Sequence, residues 1–260
     1  MTADSARGPI QTRFIPAVIA GTVINAAGIL LGGVLGLTLK RQLSPVRQNA
    51  IKGLLGVLIV LFGLKATWVN LGGGVWLVLK QLTIIVLALT FGRLAGRLLR
   101  LQKTANQLGR TASETFTRVA AASPGTKPKW NEGFLTCTIL FCAAPMAVLG
   151  AAQDGLDGYW ATLALKAIID GLATMAFVTV FGWSAMAAVI PVVALQGTIT
   201  IAAQYLAANT LSPAMLASAH GTAGLLVFCV AMLILDLKKI EVADYLPALA
   251  FAPLITWVWK

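Results

Sequence analysis

The sequence predicts an all-α, polytopic transmembrane helix bundle of about eight spans, forming a single integral membrane domain over residues 1–260. Three observations predict it. The chain is 58% hydrophobic and only 11% charged, where a soluble domain carries about 25% charged residues. Its apolar residues fall into runs near the ~20 residues that a bilayer requires. Its seven tryptophans cluster at the ends of those runs, where an apolar ring with a polar N–H prefers to sit.

The runs cover residues 15–39, 50–69, 75–98, 133–151, 160–182, 184–207, 214–236 and 243–259. The first begins at Phe14 and is longer than the ~7–15 apolar residues of a cleavable signal, so it is expected to remain as span one. The fourth and eighth are short, as broken or tilted spans would be. The fifth and sixth are separated only by an extremely tight turn at Gly182 and Trp183. Trp68 and Trp76 flank the second connection, and Trp130 precedes span four. Trp160 opens span five, Trp183 stands between five and six, and Trp257 and Trp259 close the chain.

The net charge of +11 does not point to nucleic acid, because the basic residues lie in short segments between apolar runs. Connection one carries Lys40, Arg41 and Arg47. Connection three carries Arg100, Lys103, Arg110, Arg118, Lys127 and Lys129, and connection seven carries Lys238 and Lys239. The even connections are poor in Lys and Arg, and the fourth holds Asp154 and Asp157. The positive-inside rule then puts odd connections in the cytoplasm and both termini outside. Arg7 and Arg13 oppose that orientation. The basic segment 99–132 is read as a cytoplasmic loop. Within it, Leu99, Leu101, Leu108, Phe116 and Val119 recur loosely, as in an interfacial helix or a solvated loop. Ser123-Pro-Gly reads as a turn.

Leu43-Ser-Pro-Val and Leu211-Ser-Pro-Ala each open an apolar span. At that spacing Gly53 meets Gly221, Gly56 meets Gly224, and Leu58 meets Leu226. Spans one to three then correspond to spans six to eight in opposite orientation, as two inverted three-helix repeats. Shared small-residue composition is the simpler explanation.

In span one, Gly28, Gly32, Gly33 and Gly36 form a face that lets backbones approach closely. The packing partner is either another helix of the chain or a second subunit. A homo-oligomer is expected, since symmetric assemblies are common.

Polar groups in hydrocarbon supply the candidate site. Lys166 and Asp170 share one face of span five. A charge at the bilayer centre costs about 2.5–3.5 kcal/mol, so the pair must face protein or a wet cavity. It forms either an ion or solute site or a neutral pair that locks two helices. Asn25 in span one either binds a ligand or staples helices. Gln153 and Asp154 end span four, at a cavity mouth or an ordinary interface. Span six carries Pro191 and then Gln196, Thr198 and Thr200, in either an interrupted, cavity-lining helix or a kinked packing helix. His220 is the single histidine, and packing is the default role. Cys137, Cys142 and Cys229 lie in apolar runs with no disulfide framework or metal spacing. No nucleotide loop, nucleophile elbow or zinc motif occurs. Neither an enzyme nor a cofactor is expected.

Several blocks carry a resemblance. They are Gly21-Thr-Val-Ile-Asn with Gly32-Gly-Val-Leu-Gly; Gly133-Phe-Leu-Thr, Leu140-Phe-Cys, Met146-Ala-Val-Leu-Gly and Gln153-Asp-Gly-Leu; and Lys166-Ala-Ile-Ile-Asp-Gly. Ile190-Pro-Val-Val with Gln196-Gly-Thr-Ile-Thr follows, then Lys238-Lys-Ile-Glu-Val, Leu246-Pro-Ala-Leu and Ala252-Pro-Leu. In this order the sequence resembles the uncharacterised bacterial inner-membrane family that includes YqgA and YdfK. Ala143-Ala-Pro and Thr222 depart from the family's glycine-containing pattern. The resemblance implies a multi-spanning inner-membrane protein and no activity. It also implies that Asn25, Asp154, Lys166, Asp170 and Gln196 fall in family motifs.

The expectation is a transporter of a small solute or ion in the lipid bilayer, with Asp170 at its centre and Asp154 at its outer mouth. A channel and a non-transport membrane assembly protein are the alternatives.

Overall fold

The computed structural model describes residues 19–39, 44–121 and 129–259. Arg7, Arg13, Lys40, Arg41, Lys127 and the Ser123-Pro-Gly turn lie outside them. The described residues form helices and no strand. These are α1 (Ala20–Leu39), α2 (Pro45–Val69), α3 (Val75–Leu98), α4 (Leu101–Ala120), α5 (Trp130–Ala143) and α6 (Pro145–Asp157). They continue with α7 (Ala161–Phe181), a 3-10 segment (Gly182–Ala188), α8 (Val189–Asn209) and α9 (Pro213–Ile234). A 3-10 turn (Val242–Tyr245) and α10 (Ala248–Val258) follow.

Among the described residues, five stretches are long and apolar enough to cross a bilayer: 20–39, 46–69, 75–98, 161–209 and 213–234. The pair α5–α6, bent by 59°, makes a sixth. The 49-residue stretch would be about 73 Å long as one straight helix, against a hydrocarbon core of about 30 Å. It folds back instead, because the Asn25 side chain touches both Asp170 on α7 and Gln196 on α8. The sequence places an extremely tight turn there. The structure uses a seven-residue 3-10 segment, entered through Gly182 at φ +67, a conformation that glycine adopts without strain.

The packing register fixes the direction of each span. Gly28, Gly32 and Gly36 of α1 meet Ala167, Gly171 and Met175 of α7. Both series rise in steps of four, so α1 and α7 run parallel. An odd number of crossings must therefore separate them. Two are α2 and α3, and α4 is too polar to be the third. The bent pair α5–α6 is thus a broken span, not a re-entrant loop. Its break falls at Ala144, extended at ψ 125 before Pro145, as a residue preceding proline prefers. Along α6 and α8, Ala151 and Gly155 meet Thr200 and Ala203 in parallel, which agrees. The odd connections consequently share one face of the molecule.

The eighth predicted span, 243–259, is shorter than a full crossing. It is the 3-10 turn followed by the eleven-residue α10. It still covers much of the depth, since Thr256 near its end donates to Ser218 Oγ (2.8 Å) in the second turn of α9. The polar segment 99–132 is mostly helix rather than loop. Arg100 turns the chain at φ +55, and α4 lays Phe116 against Phe177 (5.1 Å) and Phe181 (5.9 Å). Arg118 pairs with Glu132 at 3.0 Å and ties α4 to α5.

The proposed repeat has a structural counterpart in α2 and α9. Ser44 Oγ accepts from Arg47 N and Ser212 Oγ from Met215 N, each at 3.4 Å, and a proline opens each helix. These are equivalent positions at the spacing that pairs Leu43 with Leu211. The two helices pack antiparallel. Gly56 lies against Leu235, and its equivalent Gly224 lies against Thr67, the equivalent of Leu235. Such reciprocal contacts are the mark of a two-fold relation.

Large apolar side chains such as Leu31, Leu61, Leu94 and Ile190 face outward, as do Trp68, Trp76 and Trp183. Lipid is the solvent for that surface. Among the described residues the interior holds three apolar clusters, one around Ile59, Leu149, Leu165 and Leu226, another around Ile29, Phe141, Val178 and Val192, and a small one of Ala88, Ala248 and Ala252.

Candidate functional site

Four helices bring polar side chains together inside this apolar frame. On α1, Gly21, Thr22, Asn25 and Ile29 lie on the buried stripe. On α7, Lys166, Asp170 and Thr174 recur every four residues and point the same way. On α8 the buried stripe is Val192, Gln196, Thr200 and Ala203. The end of α6 contributes Gln153 and Asp154. Asn25, Gln153, Asp154, Lys166, Asp170, Gln196 and Thr200 are all buried.

Asn25 is the hub. Its Nδ2 donates to Asp170 Oδ2 and to Gln196 Oε1, each at 3.3 Å. Lys166 Nζ, one turn before Asp170, donates to the same carboxylate oxygen. The ammonium also stands 5.9 Å from the centre of the Phe141 ring on α5. Thr174 donates to the Asp170 carbonyl at 2.7 Å. Asp170 is the tenth of the 21 residues of α7, so the ion pair lies near mid-helix.

Asp154 does separate work. Its Oδ2 accepts from the Gly21 backbone N–H at 3.0 Å. A carboxylate from α6 therefore occupies the start of α1, where N–H groups lack helical partners and the dipole favours negative charge. Gln153 Oε1 accepts from Thr162 at 2.6 Å, and Thr200 donates to the Ala151 carbonyl at 3.1 Å. These bonds tie α6 to α7 and α8.

Within this cluster four fully enclosed atoms have no hydrogen-bond partner: Thr22 Oγ1, Asn25 Oδ1, Asp154 Oδ1 and Gln196 Nε2. Buried polar atoms nearly always find a partner, so each calls for a ligand or an ordered water. Together they present mostly acceptors, with donors at Gln196 and the Thr22 hydroxyl.

Two sequence expectations are corrected. Thr198 is exposed and donates to the Ala194 carbonyl at 2.7 Å. It lies about 200° around the helix from Gln196, outside the cluster. Pro191 does not interrupt a span. It is the third residue of α8, in the first turn after the 3-10 segment, a position where proline is tolerated. Of the glycines, Gly28, Gly32 and Gly36 pack on α7, whereas Gly33 meets the Met186 side chain in the 3-10 segment. That glycine face is closed within the chain.

Sequence reasoning missed Thr22, Thr162 and Thr174. Threonines in apolar helices commonly bond the preceding turn, so their presence carries no signal. It also missed a partner for His220, whose Nδ1 stands 3.3 Å from Asp157 Oδ2 and links α9 to the end of α6.

The fold and site define a class: a multi-spanning α-helical membrane protein with a buried polar cluster where α1, α6, α7 and α8 meet. The chain belongs to the family described as "Protein of unknown function (DUF554)", matched over residues 20–257. It is 30% identical over 244 residues to the "Uncharacterized protein YqgA" of Escherichia coli (strain K12), covering 93% of this chain and 98% of that one. It is 24% identical over 238 residues to the "Uncharacterized membrane protein YdfK" of Bacillus subtilis (strain 168), covering 92% and 96%. No solved structure matches it.

Proposed function

We propose that this protein is a secondary transporter of a small polar solute or ion in the bacterial inner membrane, with its odd connections in the cytoplasm, working as a homo-oligomer. The observation that carries this reading is the set of four unpartnered buried atoms on Thr22, Asn25, Asp154 and Gln196. They belong to the same buried polar cluster as the Lys166–Asp170 pair, which Asn25 contacts directly, and such a pair would be expensive to maintain in a purely structural core. Asp170 carries the charge that the solute or coupling ion answers, Lys166 balances it, and Asn25 and Gln196 supply hydrogen bonds. Asp154 stands toward the outer mouth. Two features of the fold agree. The α2–α9 contact is reciprocal in an inverted sense, and α5–α6 is a broken span, both recurrent in transporters.

The test is a thermal-shift screen of the purified protein in detergent, with ions, amino acids, organic acids and polyamines, beside Asp170→Asn. A ligand at 100 times its Kd adds about 2.7 kcal/mol. The expected result is a solute that stabilises the wild type and not the variant. No stabilising solute, together with a markedly less stable variant, would make the pair a helix lock and favour a membrane assembly protein.

A further inference from the structure

On the face shared by the odd connections, a second site lies apart from the Asp170 cluster. A cavity of about 1010 Å³ opens between α3, α9 and the 235–241 connection. Its floor is apolar, built from Leu89, Leu226, Leu233 and Ile240. Its rim is cationic, built from Arg93, Arg97, Lys238 and Lys239. Glu241 is the one carboxylate of the lining, and Arg93 and Arg97 share it at 3.7 Å each. Lys238 and Lys239 are exposed and form no ion pair among the described residues. Arg93 stacks on the Tyr245 ring at 5.5 Å, and its Nε is enclosed with no partner. A neighbouring cavity of about 450 Å³ extends the basic rim through Arg100, Lys103 and Arg110. The wall between them is braced. Gln102 N donates to Asp244 Oδ1 at 2.8 Å, and Gln102 Oε1 accepts from Ala243 N at 3.0 Å. Asp244, itself buried, is thereby held by the backbone of α4.

We propose that this cavity binds an anionic phospholipid of the facing leaflet, its phosphate headgroup on the Arg93, Arg97, Lys238 and Lys239 rim and an acyl chain on the leucine floor. A soluble anion has no use for the apolar floor. A neutral apolar solute has no use for four cations. A phospholipid supplies both, and Arg93 and Arg97 lie in the last two turns of α3, at the end of a span, where headgroups and chains meet. Arginine forks match phosphate geometry, and basic pockets between spans are a recurrent setting for anionic headgroups.

Native mass spectrometry of the full chain, purified in dodecyl maltoside and offered equimolar dioleoyl phosphatidylglycerol and dioleoyl phosphatidylcholine, tests this. The wild type should retain the anionic lipid about tenfold or more over the zwitterionic one. Lys238→Gln with Lys239→Gln removes two charges that form no ion pair among the described residues, so its thermal midpoint in phosphatidylcholine should not move while the preference collapses. Equal retention of the two lipids by the wild type overturns the proposal whatever the variant does. So does an unchanged preference in a folded double variant. A third arm adds sodium phosphate alone. If it raises the wild-type midpoint as much as phosphatidylglycerol does, the site takes a soluble anion and the lipid assignment fails.

Discussion

Asn25, Lys166 and Asp170 are linked through a single carboxylate oxygen, and this coupling makes their substitutions non-additive. Removing one partner of a buried ion pair leaves an uncompensated charge and costs about 3–5 kcal/mol, while replacing both with apolar groups is often nearly neutral. Asp170→Leu and Lys166→Met should each destabilise strongly, and the double variant much less than their sum. A double-mutant cycle on unfolding in mixed micelles measures this, and strict additivity would show that the two charges do not sense each other. Asn25→Ala should cost about 1–3 kcal/mol, the range for leaving buried polar groups unpaired. Thr198→Val should stay within about 0.5 kcal/mol of wild type, as exposed substitutions do. The same unfolding assay compares them, and a large loss at Thr198 would move the boundary of the site. The sequence exposes Asn25, Lys166, Asp170 and Gln196 because amides and charges are costly in hydrocarbon. It conceals Thr22 and Thr162, because a hydroxyl can hide in its own helix.

Elements are joined here by glycines at defined registers, and their environments differ sharply. A methyl at Gly32 would drive into the Gly171 carbonyl on α7, whereas at Gly53 on α2 nothing lies within 4 Å. Gly32→Ala should therefore destabilise by about 1–3 kcal/mol through overpacking. Gly53→Ala should be neutral or stabilise by up to about 1 kcal/mol through helix propensity. The reciprocal pair behaves unequally as well. A methyl at Gly224 would come within 2.6 Å of Thr67 Oγ1 and 2.7 Å of the Gly63 carbonyl, while one at Gly56 would meet only the end of the Leu235 side chain. Gly224→Ala should be the more damaging of the two. Thermal midpoints of the four variants decide both comparisons, and equal midpoints at Gly32 and Gly53 would contradict the α1–α7 register. The matched Leu-Ser-Pro starts of α2 and α9 are readable in sequence because a capping serine and an N1 proline are local signals. The break between α5 and α6 is less so. Pro145 marks it, yet Pro191 is equally conspicuous and harmless, and only its place in the first turn of α8 separates the two cases.

At the scale of the whole molecule, apolar length and charge placement reveal the spans, but not which are broken or which run parallel. That information resides in contacts between helices distant in sequence, such as Gly28 with Ala167. The parallel α1–α7 pair, the parallel α6–α8 pair and the antiparallel α2–α9 pair are separate observations that agree on one threading of the chain. The threading places Gly73, in the connection after α2, opposite Asn106 on α4; both are exposed. In a background lacking Cys137, Cys142 and Cys229, a membrane-impermeant maleimide applied to spheroplasts should label Gly73→Cys and spare Asn106→Cys. In inverted vesicles the pattern should reverse. Exchange of the two patterns would keep the threading and invert the protein in its membrane, so that the basic rim near Lys238 would face outward, against the positive-inside rule. Labelling of both positions from one side would require α3 to turn back without crossing. The parallel register of α1 with α7 would then have no topological explanation.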